Sequence, residues 1–122
     1  MLAATVERFL RDSLHSVWEL ELLLLFHAQR RRLWTADELV RDLRASLLIV
    51  AGALDTLQKA GLVSKNANDH YQFWPVSPEL DQLVNDIAAA YASYPAAVTD
   101  AILSSPSSSI RIFADAFKIK KD

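Results

Sequence analysis

Cysteine is absent from the 122 residues, which excludes disulfides, thiolate zinc sites and cysteine nucleophiles. Glycine and proline are scarce, at two and four. That argues against a β-sandwich or barrel, whose many turns use both. Long apolar runs are missing too: the stretch Leu22–Phe26 falls far short of the ~20 residues that cross a bilayer. The opening MLAATVERFLRDSL carries Glu7 and Asp12 and lacks the charged-then-apolar layout of a secretory signal. The expectation is a soluble, cytoplasmic protein without a membrane partner. Nor does either charge dominate, since 13 basic side chains against 15 acidic ones leave a net charge of −2. A nucleic-acid coat protein would be strongly basic; a sequence-specific regulator need not be. The balance is uneven along the chain. Through Lys65 there are 9 basic and 8 acidic residues, and from Asn66 onward 4 and 7. Basic surface is therefore expected in the first half and in the last few residues.

What is present is a folded, helix-forming composition, 52% hydrophobic and 23% charged, rich in alanine and leucine. Residues 3–14 read as an amphipathic helix with Val6, Phe9, Leu10 and Leu14 on one side. Ser16-Val17-Trp18-Glu19 has capping-box spacing and opens a second helix to about Gln29. That helix is apolar on most faces, so it is expected at the centre of the core. Leu33-Trp34 is a short extended stretch. Thr35-Ala36-Asp37-Glu38 is another capping box, starting a helix to about Arg44 with Leu39, Val40 and Leu43 facing inward. Ala45 makes a turn, Ser46 caps a helix to Ala60, and Gly61 suits the left-handed position after it. Residues 62–65 and 70–74 pair as a hairpin about Asn66–Asp69.

Ser77-Pro78-Glu79 opens a long helix to about Tyr94, with an apolar stripe of Leu80, Leu83, Val84, Ile87 and Tyr91. Pro95 opens another to about Leu103. A polar linker over 104–109, a last helix over about 107–117 and a basic tail, 118–122, complete the chain. The fold class is mainly α with a small β-hairpin. Two regions follow: residues 1–76, and a helical extension, 77–122, that covers the core or forms a dimer face through Tyr91, Tyr94, Phe113 and Phe117.

The order helix, turn, helix, glycine stop, short hairpin resembles bacterial winged helix-turn-helix regulators of the broad MarR and ArsR type. The residues that carry the likeness are Trp34-Thr35, Glu38-Leu39, Ala53-Leu54, Leu57 and above all Lys59-Ala60-Gly61-Leu62-Val63. It covers about residues 14–76. The resemblance implies a DNA-binding transcriptional regulator, usually a homodimer, with the 46–60 helix in the major groove of double-stranded DNA and the hairpin near the backbone. Arg41, Arg44, Ser46, Gln58, Lys59 and Lys65 are then the candidate DNA contacts. Arg30, Arg31 and Arg32 are either a solvated helix end complementing the dipole or a set of backbone contacts.

The same segment departs from that pattern. With Val50, Leu54 and Leu57 inward, the outer face is Leu47, Leu48, Ala51, Gly52, Asp55 and Gln58 or Lys59. Base edges are read by donors and acceptors, and only Ser46, Gln58 and Lys59 supply them here. Gly52 costs roughly 1 kcal/mol against alanine in a helix interior, a cost that close approach of another backbone would explain. The hairpin tip carries no arginine or lysine. The alternative is a winged-helix protein–protein interaction module docking through Leu47, Leu48, Ala51 and Gly52.

No catalytic residue, metal site or cofactor is expected. His15, His27 and His70 share no ligand spacing, and His27 reads as a core or boundary histidine. The serines of 104–109 lack the glycines of a nucleophile elbow, and no glycine-rich phosphate loop occurs. Trp18, Trp34 and Trp74 are expected as core anchors rather than as the walls of a ligand pocket.

Overall fold

A computed structural model describes residues 2–104. The expected last helix and basic tail, with Phe113 and Phe117, lie outside the described residues. Within them the chain is mainly helical with one small antiparallel sheet. The elements run α1 (Ala4–Ser13), α2 (Val17–Ala28), α3 (Ala36–Leu43), α4 (Leu47–Lys59), β1 (Val63–Lys65), β2 (Tyr71–Phe73), α5 (Pro78–Ser93) and α6 (Pro95–Leu103).

Local chemistry sets most boundaries. The Ser16, Thr35, Ser46 and Ser77 hydroxyls each accept the amide three residues on, at 3.1–3.2 Å, satisfying donors the first helical turn leaves free. At Thr35 the box is reciprocal, because the Thr35 amide donates to Glu38 Oε1 at 2.8 Å. At the end of α4, Gly61 takes φ +78°. The Gly61 amide donates to the Gln58 carbonyl at 3.1 Å and that of Leu62 to the Leu57 carbonyl at 3.0 Å, a Schellman closure. α3 ends differently from expectation. Arg44 itself adopts the left-handed conformation, φ 55°, so the sharp reversal begins one residue before Ala45.

α2 is the hub. Leu20, Leu22, Leu23 and Phe26 are fully buried, and α2 packs against α3, α4, α5 and β2. α5 and α6 lie against α1, with Val84, Ile87, Val98 and Ile102 joining the same core as Val50 and Leu57. The core is therefore continuous from α1 through α6, and each such side chain contributes about 1.5–3 kcal/mol on burial. Tyr91 is partly buried against that core, whereas Tyr94 is exposed.

β1 and β2 pair Val63 with Phe73, Ser64 with Gln72 and Lys65 with Tyr71. On the other edge of β2, Trp34 forms a single bridge: its amide donates to the Tyr71 carbonyl at 2.8 Å and its carbonyl accepts from the Tyr71 amide at 2.7 Å. The indole of Trp34 is buried edge-on to Phe26, with ring centroids 6.5 Å apart. This bridge brings the start of α3 and the hairpin to one side of α2.

Candidate functional site

The outer face of α4 is the most unusual surface of the described chain. Val50, Ala53, Leu54 and Leu57 point into the core, as the steps of three and four predict. The residues before and between them, Thr56 apart, are left outside. Leu48 is 83% exposed and Leu47 58%, beside the exposed Ala51 and Gly52. Ile49 is also partly open, which widens the patch beyond the four residues expected. A Cβ built on Gly52 meets nothing within 4 Å, so the chain's own fold supplies no close neighbour there.

Of the seven candidate cations, four are engaged. Lys59 Nζ lies 2.9 Å from Asp55 and Lys65 Nζ 3.4 Å from Asp69. Both pairs are four residues apart, a spacing plain in the sequence; on helix α4 it places the two side chains on neighbouring turns. Arg30 makes two bonds to the Asp81 carboxylate, 2.6 and 2.7 Å, and its guanidinium sits over Phe73. Arg32 stacks 3.5 Å from the Trp34 ring centroid and reaches Glu38 at 3.4 Å. Exposed pairs of this kind are worth about 0–1 kcal/mol each. Their effect on a polyanion is larger than on stability, because each carboxylate cancels the field of the cation beside it. Arg31, Arg41 and Arg44 are exposed and form no ion pair among the described residues. Ser46 spends its hydroxyl on the helix cap, and Gln58 is exposed near the far end of α4.

The hairpin tip is closed on itself. The Asn66 side-chain oxygen accepts from the amides of Asn68 and His70 at 2.9 and 3.0 Å, and Asp69 is left-handed at φ 60°. Residues 66–69 hold no lysine or arginine to offer a phosphate.

Of the three tryptophans, only Trp34 is a core anchor. Trp18 is partly exposed and Trp74 is 61% exposed. Trp18 lines a shallow hollow with Val17, Glu21, Asp42 and Leu43; burial and the Glu21 carboxylate, which accepts from the Tyr91 hydroxyl at 3.1 Å, raise the Tyr91 phenol above its usual range. His27 is a boundary histidine, with its Nε2 2.6 Å from Asn85 Oδ1 and its ring edge-on to Phe73.

The capping pattern marks Glu19 only as the partner of Ser16, and the fold gives it a larger part. Its carboxylate is almost wholly buried, accepts from the His15 amide at 2.7 Å and takes the Thr56 hydroxyl at 3.3 Å. It therefore ties the α1–α2 corner to the inner side of α4. Among the described residues, no three His, Asp or Glu side chains gather where a metal could be held. No helix there is long and apolar enough to cross a membrane.

Compared with protein-family models, with curated proteins and with solved structures, the chain matches none. What the α4 face does is therefore read from its own chemistry.

Proposed function

We propose that the chain is a non-enzymatic module of winged-helix type that works by docking protein on the outer face of α4 instead of reading bases with it. The observation that carries this is Leu48, 83% exposed in the first turn of α4 on the face where a DNA reader places donors. The engaged state of Lys59, Lys65, Arg30 and Arg32 supports it. Leucine in a groove could touch only thymine methyls, whereas leucine against an apolar partner contributes about 1.5–3 kcal/mol.

A second reading keeps double-stranded DNA as the ligand, as a transcriptional regulator. It is favoured by Arg31, Arg41 and Arg44, which carry no carboxylate partner among the described residues and could grip phosphates. Fluorescence anisotropy with a random duplex at low salt separates the two. Docking predicts no binding at protein concentrations up to about 50 µM. Salt-sensitive binding that Arg41→Glu with Arg44→Glu removes establishes the DNA reading.

A further inference from the structure

We infer that the hollow beside Trp18 receives the guanidinium of an arginine side chain presented by a partner peptide, stacked on the indole and held by the carboxylates of Glu21 and Asp42. The hollow shares no residue with the exposed face of α4, and docking there is not a premise of this site.

Val17, Trp18 and Glu21 of α2 and Asp42 and Leu43 of α3 line an open hollow of about 530 Å³, within the roughly 300–1,000 Å³ of small-ligand sites. Its chemistry selects the occupant. Trp18 is 39% exposed, and its ring has no aromatic or cationic partner among the described residues. Neither Glu21 nor Asp42 has an ion pair there. Arg41 and Arg44, the cations nearest Asp42 in sequence, leave it unpaired. The Tyr91 hydroxyl donates to Glu21 Oε1 at 3.1 Å. That bond orients the carboxylate and leaves its second oxygen for a further donor.

The same chain shows twice what completes such a group. Arg32 lies 3.5 Å from the Trp34 ring centroid and reaches Glu38 at 3.4 Å. Arg30 lies 4.9 Å from the Phe73 ring centroid and reaches Asp81 at 2.6 Å. In each, one guanidinium serves a ring face and a carboxylate together. At Trp18 a ring and two carboxylates share one hollow, and no described residue supplies the guanidinium. A planar guanidinium stacks on indole and donates in its own plane, whereas an ammonium is a hydrated point charge that cannot lie flat on the ring. Val17 and Leu43 offer an apolar wall to the methylene stem of an arginine. Free arginine fits less well, because its α-carboxylate would face two like charges. One exposed ring and two solvated carboxylates make a weak site, with Kd of about 1 mM for a single arginine side chain.

A heteronuclear NMR titration of the isotope-labelled full chain with N-acetyl-arginine amide tests this. The signal is the indole N–H of Trp18, assigned by its loss in Trp18→Phe. The expected result is a saturable shift at Trp18 and none at Trp74, which is also exposed. The neutral isostere N-acetyl-citrulline amide should bind at least about tenfold more weakly, and the lysine amide about fivefold. Asp42→Asn and Glu21→Gln should each weaken binding about threefold to tenfold, with the buried Trp34 indole signal unmoved as the control for folding. No saturable shift up to about 20 mM overturns the site. So does an equal response to the citrulline or lysine amide, or indifference to both carboxylate variants. Free arginine binding tenfold more tightly than the amide would make the ligand a free amino acid and overturn the peptide source. A response seen only in Arg111→Ala would assign the guanidinium to the chain's own tail and overturn the partner.

Discussion

Gly61→Ala probes the junction on which the arrangement of α4 and the hairpin depends. At φ +78° an alanine is held in the left-handed region, which costs about 1–2 kcal/mol. Part of this, about 0.4–1 kcal/mol, is offset because alanine also restricts the unfolded chain. The new Cβ would stand 2.9 Å from Val76 Cγ2, too close to be tolerated. Relief requires Val76 to leave its side-chain rotamer or to shift its backbone, whose amide donates to the Gly61 carbonyl at 2.9 Å. Shifting it weakens a bond worth about 1 kcal/mol. The net expectation is a loss of about 1.5–2.5 kcal/mol, read as a lower midpoint in urea at unchanged slope. Val76 is 71% exposed, so Val76→Ala alone should change stability by no more than about 0.5 kcal/mol. In the double variant the steric part disappears and the backbone part stays, leaving a loss of about 1 kcal/mol. If Gly61→Ala proves neutral, or if Val76→Ala fails to relieve any of its cost, α4 does not close through a left-handed Gly61 packed against Val76.

Substitutions at Glu19 and Glu38 test the buried and capping carboxylates. Glu19→Ala removes the acceptor of both the His15 amide and the Thr56 hydroxyl and should cost about 2–3 kcal/mol, against about 1 kcal/mol for Glu19→Gln, which keeps an oxygen; equal, negligible losses would show that this carboxylate does not hold α4 to the α1–α2 corner. Glu38 is held below the usual carboxylate range, first by the Thr35 amide and then, against the opposing effect of burial, by the Thr35 hydroxyl and Arg32. Because its folded value is the lower one, its contribution is present above the ordinary 4.5 and is lost as pH falls through the depressed value. Glu38→Gln should therefore lose that contribution at neutral pH and converge with the parent below the depressed value, flattening the acid limb of the stability profile, and an unaltered acid limb would contradict it.

How legible each feature is depends on the distance over which its cause acts. The four serine and threonine caps are legible because donor and acceptor lie three residues apart. The inward face of α4 is legible because helical period alone separates Val50, Leu54 and Leu57 from Leu48. Its ends are harder. Ile49 sits in the first turn, where neighbouring elements stop covering the helix, and no pattern in the chain marks that limit. The three tryptophans look alike in sequence, yet one is enclosed and two are open. The difference lies in which of them another element happens to roof over. Arg30 finds Asp81 across 51 residues and Glu19 finds Thr56 across 37, contacts that only the folded chain brings about.

Composition, capping and periodicity by themselves determined a helical chain with one short hairpin, where most helices begin, and which stripe of α4 faces inward. These are consequences of interactions within one or two turns, so neighbouring residues suffice to state them. Tertiary structure decided which cations are matched by distant carboxylates, which tryptophan is enclosed, and that Leu48 and Gly52 stand uncovered on one open face. Those outcomes depend on how separately formed elements meet in space, and no local rule contains them.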